Sequence, residues 1–277
     1  MNAITHQQSF LLNYLNSLHG NPPNSAAATF YASLDQIHAV SPTISASIVK
    51  ELQDQQSNLK MIASENYSSL ATQAAMGNLL TDKYTEGYPQ HRFYAGCDNV
   101  DAIEAEAASL AQELFGADYA YVQPHSGADA NLVAFLAILS AQIQKPILAK
   151  LHQEDPSKVS REDWSRVRTA VHNQRLLSLD YYSGSHLTHG YRHNISSQLF
   201  DVYTYTVDPI TNLIDLDQLR TQMHEVRPLI LLAGYSAYPR KLNFAKMREL
   251  ADEVGAILMV DMAHFPELDL ALVQHLA

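Results

Sequence analysis

Ala256-Ile257-Leu258-Met259-Val260-Asp261-Met262-Ala263-His264 reads as a hydrophobic strand, Ala256–Val260, that runs into a carboxylate. Just before it, Phe244–Val254 has the pattern of a helix, and Gly255 supplies the stop. The alternation continues towards the N-terminus: Pro228–Ala233 as a buried strand, Asp217–Val226 as a helix, Phe200–Tyr205 and Arg175–Leu179 as strands. Short continuous apolar strands separated by helices imply an α/β protein, with a mostly parallel sheet covered by helices on both faces. Ligands of such sheets sit outside the carboxyl ends of the strands, which makes Asp261 a candidate for pairing with a cationic ring nitrogen. The same residue reads equally as the cap of a following helix. His264 reads as a core or loop histidine.

The upstream half follows the same logic. Tyr119–Val122 is expected to be a strand leading into Gln123-Pro124-His125-Ser126-Gly127, and an apolar helix is expected from Ala130 to about Ala141. Ser126-Gly127-Ala128 then stand at a helix N-terminus, where unpaired N–H groups and the helix dipole favour an anion. An ordinary serine-capped turn gives the same pattern. A helix over Ala102–Phe115, entered at Asp98-Asn99-Val100-Asp101 and stopped at Gly116, is expected to bury Ile103, Leu110 and Leu114. Lys145–Asn173 is charged, with a break at Asp155-Pro156, and reads as an inserted, partly helical surface excursion. Thr72–Lys83 is expected to be helical. Pro42 is expected to open a helix through Ser45–Gln56, with Ile44, Ile48 and Leu52 four apart. Asn21-Pro22-Pro23-Asn24 breaks the first 40 residues into two short helices or a partly ordered arm. The organisation expected is a helical N-terminal segment over 1–60 and a main α/β domain over 61–265.

Composition bounds the partners. The chain has 277 residues, 47% hydrophobic and 17% charged, enough to bury a full core. A net charge of −11 leaves no basic excess to neutralise phosphates, which argues against nucleic acid. The single cysteine, Cys97, has no internal disulfide partner, as in a reducing compartment. The longest clean apolar run is Leu132–Leu139, far short of the roughly 20 residues that span a bilayer. No basic segment precedes an apolar stretch at the N-terminus. The expectation is a cytoplasmic protein with no membrane partner.

Three polar blocks are costly to bury and poor at filling a core, so they mark sites. Leu59–Ser69 contains Ala63-Ser64-Glu65-Asn66. Asp82-Lys83-Tyr84-Thr85-Glu86-Gly87-Tyr88-Pro89 and Arg92-Phe93-Tyr94-Ala95-Gly96-Cys97 set Glu86 among the phenols of Tyr84, Tyr88 and Tyr94. A carboxyl among rings tends towards a raised pKa and can move protons near neutrality, although tyrosine-rich patches also build interfaces. Ser183-Gly184-Ser185-His186-Leu187-Thr188-His189-Gly190 holds two histidines three apart. One reading is a metal pair completed by His193, or by Asp261 and His264 as in a zinc hydrolase. Others are an imidazole stacked on a planar ligand, or a surface loop in a chain with 13 histidines.

Taken in order, the blocks from about Ile48 to Phe265 resemble serine hydroxymethyltransferase: Ile62-Ala63-Ser64-Glu65-Asn66, Lys83-Tyr84-Thr85-Glu86-Gly87-Tyr88-Pro89, Glu113-Leu114-Phe115-Gly116-Ala117, Gln123-Pro124-His125-Ser126-Gly127, His186-Leu187-Thr188-His189-Gly190 and Val260-Asp261-Met262-Ala263-His264. The resemblance implies an incomplete large domain of the aspartate-aminotransferase type, a fold-type I pyridoxal-phosphate enzyme. It implies pyridoxal 5'-phosphate as cofactor, tetrahydrofolate as co-substrate, serine and glycine as the exchanged amino acids, and a homodimer. Carried over by motif, Ser126, Gly127 and Ala128 hold the phosphate with Tyr84 of a neighbouring subunit. His186 stacks on the ring, Asp261 pairs with its nitrogen, and Ser236 and His264 meet its O3′ side. Ser64 touches the substrate carboxylate. Glu86 is the proton-transfer group with Tyr94 beside it. Tyr181, Ser185, His186 and Leu187 lie along the folate. No resident metal is implied.

Ala128 stands where the family commonly has serine, Gly184-Ser185 where it usually has Gly-Gly, and Tyr181 where leucine is common. The family's Schiff-base lysine sits in a Thr-Thr-His-Lys motif, and no such motif is present. Lys246 is the last lysine of the sequence. After His264-Phe265 the chain reads Pro266-Glu267-Leu268-Asp269-Leu270-Ala271-Leu272-Val273-Gln274-His275-Leu276-Ala277, in place of the expected small-residue, glycine-rich run. This reads as a divergent tail after a frameshift or truncation, without the small C-terminal domain. The expectation is a polypeptide that does not catalyse the family reaction by itself.

Overall fold

The computed structural model describes residues 9–62, 64–153 and 155–265, so the divergent tail expected over 266–277 lies outside the described residues. The chain divides into two compact units, with the boundary between Tyr84 and Thr85.

The first unit is helical. α1 (Phe10–Ser17), α2 (Ser25–Val40) and α3 (Pro42–Ser57) begin at Ser9, Asn24 and Ser41, whose side chains each accept a first-turn N–H. Asp35 on α2 caps α1 a second time: its carboxylate accepts the Phe10 N–H at 2.6 Å and the Ser9 hydroxyl at 2.5 Å. Pro42 opens α3 where a missing N–H costs nothing. Ile44 and Leu52 of α3 are exposed, while Ser45 is buried. The helix expected over Thr72–Lys83 is shorter and broken. α4 (Leu70–Met76) stops at Gly77, and Asn78 caps a separate 3-10 turn over Leu79–Asp82. Glycine loses the most backbone freedom in a helix, which is why the break falls there.

The second unit opens with a two-residue hairpin, β1 (Gly87–Tyr88) against β2 (His91–Arg92). α5 (Asp98–Phe115) follows, and Gly116 ends it in the left-handed conformation. The expected strand at Tyr119–Val122 is irregular chain instead, with no strand partner among the described residues. A strand exists only through a neighbour's backbone, so its local pattern was not enough. Ile103, Leu110 and Leu114, expected on the buried side of α5, are each more than half exposed.

α6 (Gly127–Leu139) continues through a wide turn at Ser140–Gln144 into α7 (Lys145–Lys150). The excursion expected from Lys145 therefore starts as a helical continuation. Pro146 follows the wide turn and has no N–H to give to a carbonyl one turn back. Gly127–Lys150 is a helix long and apolar enough to cross a membrane, longer than the apolar run suggested. Its Asn131, Phe135 and Leu139 are buried, and the two apolar side chains pack on the sheet. α8 (Arg161–His172) leads to the sheet.

The sheet contains β3 (Arg175–Leu179), β4 (Asp201–Tyr205), β5 (Ile230–Gly234) and β6 (Ile257–Asp261), in the order β4-β3-β5-β6 and wholly parallel. α9 (Ser196–Leu199) precedes β4, α10 (Leu216–Val226) precedes β5, and α11 (Phe244–Val254) precedes β6. Successive side chains of the central strands go to opposite faces. Leu177, Leu179, Leu231 and Ala233 pack with Leu219 and Met223 of α10 and with Phe244, Met247 and Leu250 of α11. Leu176, Ile230 and Leu232 pack on the other side with Phe135 and Leu139 of α6. β3 and β5 are thus covered twice, which explains their unbroken apolar character and matches the expected α/β architecture.

Candidate functional site

Asp261 is the last residue of β6, at the carboxyl edge of the sheet. Its neighbour across the ladder is Gly234, at φ +116, where an added Cβ would lie 2.0 Å from the Asp261 carbonyl oxygen. Glycine is what lets the two strands meet there. The Asp261 carboxylate accepts from His189 Nε2 at 2.8 Å and from Asn131 Nδ2 at 2.8 Å, both on Oδ2, and from the Ala263 N–H at 3.2 Å on Oδ1. Burial works to raise its pKa. The hydrogen bonds from His189 and Asn131 outweigh burial and hold the carboxyl well below the usual carboxylate range. The sheet edge therefore carries a fixed anion.

The ring of His189 is fully committed. Nε2 lies 2.8 Å from Asp261 Oδ2 and Nδ1 lies 3.0 Å from the Ser185 hydroxyl, so both ring nitrogens are engaged. Asn131 also donates to Thr188 Oγ1 at 2.7 Å. That hydroxyl reaches His186 Nδ1 at 2.7 Å, and the Thr188 N–H donates to the same nitrogen at 3.2 Å. His186 Nδ1 is thus an acceptor and its proton sits on Nε2. Burial lowers the His186 pKa, His189 adds to the effect, and Asp261 opposes it, so the ring is neutral at pH 7.

Asn131 ties this network to the start of α6. Ser126 caps that helix by accepting the Asp129 N–H at 3.1 Å. Gly127 has no heavy atom within 4 Å of where a Cβ would stand, so an anion has room against the first-turn N–H groups of Gly127 and Ala128. Ala128 supplies no hydroxyl. On the other side, the N–H groups of Ser236 and Ala237 both donate to the Gly184 carbonyl at 2.9 Å. Ser236 Oγ and His264 Nδ1 are buried and have no hydrogen-bond partner among the described residues. Two orphaned polar atoms cost free energy unless something bonds them.

These features fit pyridoxal 5'-phosphate: a fixed anion for a ring nitrogen, a helix N-terminus for a phosphate, a half-buried neutral imidazole, and two unsatisfied atoms where a phenolic oxygen is expected. A metal fits less well. His186, His189 and Asp261 offer ligand atoms within 4.8 Å of one another. However, both nitrogens of His189, both oxygens of Asp261 and Nδ1 of His186 are already hydrogen-bonded.

Glu86 and Tyr94 flank the β1–β2 hairpin, and the Tyr94 hydroxyl donates to Glu86 Oε2 at 3.1 Å. The hairpin and the start of α6 share a cavity of about 460 Å³ lined by Thr85, Arg92, Gln123, His125 and Asp129. Tyr181, Ser185 and His186 line a second cavity of about 550 Å³. Ser185 is buried in its wall with its hydroxyl on His189, and Leu187 lies outside the lining. Ser64 and Tyr84 belong to the first unit, where both are exposed.

Sequence reasoning assigned no role to Asn131 or to Thr188, nor to His189 as the partner of Asp261. Asn131 carried a signal: it is the polar member of the i, i+4, i+8 stripe Asn131, Phe135, Leu139 on an apolar helix. The His189–Asp261 bond joins residues 72 apart and left no local trace.

The model of the serine hydroxymethyltransferase family matches residues 37–150 and 164–275, running past the Phe265 at which the motif resemblance stopped. A serine hydroxymethyltransferase of Treponema pallidum is 56% identical over 260 residues, which are 94% of this chain and 45% of that relative. One from Mycolicibacterium smegmatis is 53% identical over 88% of this chain and 50% of its own length. One from Chlamydia trachomatis is 48% identical over 88% of this chain and 50% of its own length. The chain thus spans about half the length of the curated relatives it matches. It belongs to the serine hydroxymethyltransferase family.

Proposed function

We propose that this chain forms the phosphate-and-ring side of a pyridoxal 5'-phosphate site, serving the transfer of the serine hydroxymethyl carbon to tetrahydrofolate. The observation that carries the reading is Asp261, held ionised by His189 and Asn131 at the carboxyl edge of the sheet. When bound, the cofactor supplies an electron sink for the bonds around the amino acid's α-carbon.

The chain's own residues then have distinct tasks. Gly127 and Ala128 give N–H groups to the phosphate. Asp261 keeps a proton on the ring nitrogen by Coulomb attraction in a partly desolvated place. His186, fixed through Nδ1 by Thr188, offers a neutral flat face. Ser236 and His264 give hydrogen bonds to the phenolic oxygen and so lose their unsatisfied state. Glu86 holds or takes a proton at the substrate hydroxyl, with Tyr94 fixing one of its oxygens. Ser64 meets the substrate carboxylate, Tyr84 of a second copy reaches the phosphate, and Tyr181 and Leu187 lie along the folate. The protein acts as a cytoplasmic homodimer.

No lysine follows Lys246 in these 277 residues. We therefore expect the 277-residue polypeptide to bind pyridoxal phosphate without turning over serine. Equilibrium dialysis of the polypeptide and of Asp261→Asn, with a coupled serine and tetrahydrofolate assay, tests this. Saturable binding that weakens about tenfold in Asp261→Asn supports it, equivalent to about 1.4 kcal/mol. Equal binding by both proteins, or serine turnover at an ordinary enzyme rate, overturns it.

A second reading is a non-catalytic dimerisation or binding fragment. The exposed Ile103, Leu110 and Leu114 stripe on α5 favours it. Size measurement of the polypeptide alone, and with an intact homologue, decides between the two.

A further inference from the structure

Arg92 belongs to β2 and has a side chain only 5% exposed, which is rare for a cation and requires full pairing. Its guanidinium makes four hydrogen bonds. Nε donates to Asp101 Oδ1 at 2.7 Å and Nη2 to Glu104 Oε2 at 2.6 Å. These two carboxylates stand three apart on α5, so one helix face holds the fork from below. Nη1 donates to the Thr85 carbonyl at 2.9 Å and to the Gly87 carbonyl at 2.9 Å. Those are the peptide oxygens on either side of Glu86.

Further contacts converge on the same spot. Gln123 Nε2 donates to the Gly87 carbonyl at 2.8 Å and to Glu104 Oε1 at 2.7 Å. The Phe93 N–H donates to the Glu86 carbonyl at 3.1 Å. Gly87 sits at φ +101, where a Cβ would lie 2.2 Å from the His91 carbonyl oxygen. The backbone through Glu86 is thus pinned at three consecutive carbonyls, while the Glu86 side chain has only the Tyr94 hydroxyl among the hydrogen bonds described above.

We propose that Arg92 is the positioning residue for Glu86: its guanidinium, anchored on Asp101 and Glu104, clamps the Thr85 and Gly87 carbonyls and so aims the Glu86 carboxylate at Tyr94. A planar fork does this and an ammonium does not, because two bonds must run along the fixed Nη1 directions while Nε and Nη2 hold the helix. The inference deepens the proton-transfer role given to Glu86 and rests on it for its meaning, but its test needs no turnover.

The experiment uses the 277-residue polypeptide with 3-fluorotyrosine at position 94, and the variants Arg92→Lys, Arg92→Met and Glu86→Gln. Fluorine NMR follows the position-94 resonance between neutral and acid pH, where a carboxylate titrates. Hydrogen exchange reads the Phe93 amide against the amides of Arg175–Leu179 and Ile230–Gly234. In the parent, the fluorine shift follows the Glu86 carboxyl and vanishes in Glu86→Gln. In both Arg92 variants we expect that pH-dependent shift to fall by about half or more, and the Phe93 amide to exchange about tenfold faster. Sheet amides and pyridoxal phosphate binding stay unchanged in Arg92→Lys. An undiminished shift in both Arg92 variants overturns the proposal. So does a loss of sheet protection in Arg92→Lys, because Arg92 would then hold the fold and not Glu86. Failure of pyridoxal phosphate binding in the parent, with the fluorine result intact, would count against the cofactor reading alone.

Discussion

Replacing Asn131 by alanine tests the network around Asp261 most directly. Asn131 is 6% exposed and gives one hydrogen bond to the ionised Asp261 and one to the Thr188 hydroxyl. A bond to a charged group contributes about 1.5–3 kcal/mol and a neutral one about 0.5–1.5 kcal/mol. Thr188 Oγ1 keeps His186 Nδ1 as a partner, and Asp261 keeps His189 and the Ala263 N–H, so neither acceptor is wholly orphaned. The expected loss is therefore about 2–4 kcal/mol, or roughly 30- to 1,000-fold in the folding equilibrium. Urea unfolding followed by emission of Trp164, the single tryptophan, reads the second unit selectively, since Trp164 lies on α8.

The pH dependence separates this account from a mere packing defect. A carboxyl with a depressed folded pKa contributes stability that is present above its unfolded pKa, near 4, and lost as pH falls towards the folded value. Removing Asn131 takes away one of the bonds that depress Asp261, so the variant's carboxyl rises towards its ordinary value. The variant then has less of this contribution to lose. The stability gap between parent and variant should be widest at pH 6–8, a window chosen as about two units above the unfolded carboxyl, and should narrow below about pH 4. The narrowing amounts to about 1.4 kcal/mol for each unit by which the variant's carboxyl has risen. A loss below about 0.5 kcal/mol, or a gap that does not change with pH, refutes the reasoning.

Other substitutions probe the scaffold. Gly234→Ala puts a Cβ 2.0 Å from the Asp261 carbonyl oxygen at φ +116, so soluble folded protein should be lost on expression. Gly255→Ala, also left-handed but with open space, should cost only about 1 kcal/mol by urea unfolding. Gln90 holds φ +64 in the β1–β2 hairpin turn, so Gln90→Gly should stabilise the second unit by about 1 kcal/mol in the same assay. Changing Ile103, Leu110 and Leu114 together to serine should alter unfolding free energy by less than about 1 kcal/mol, because all three are exposed. It should lower self-association in sedimentation.

The parts of the fold that could be read from sequence are those whose signals are local. Arg175–Leu179 and Phe244–Val254 match the structure to the residue: the first is an unbroken strand pattern and the second ends at a glycine that takes the left-handed conformation. Tyr119–Val122 and the α5 stripe carry equally clear local patterns, yet the first is unpaired and the second exposed among the described residues. A pattern states what a segment is fit to pair with, and the pairing itself depends on a second surface. The site divides along the same line. Asp261 and Ser126 stand at element ends, where sequence marks them. Asn131 and Arg92 act through side chains that bridge elements, and their evidence is a polar residue set on an apolar stripe and a pair of carboxylates three apart on one helix face. Each of these patterns asks for a partner without naming it. The cation that answers Asp101 and Glu104 lies nine and twelve residues away, and in answering them it takes hold of the two carbonyls that bracket Glu86.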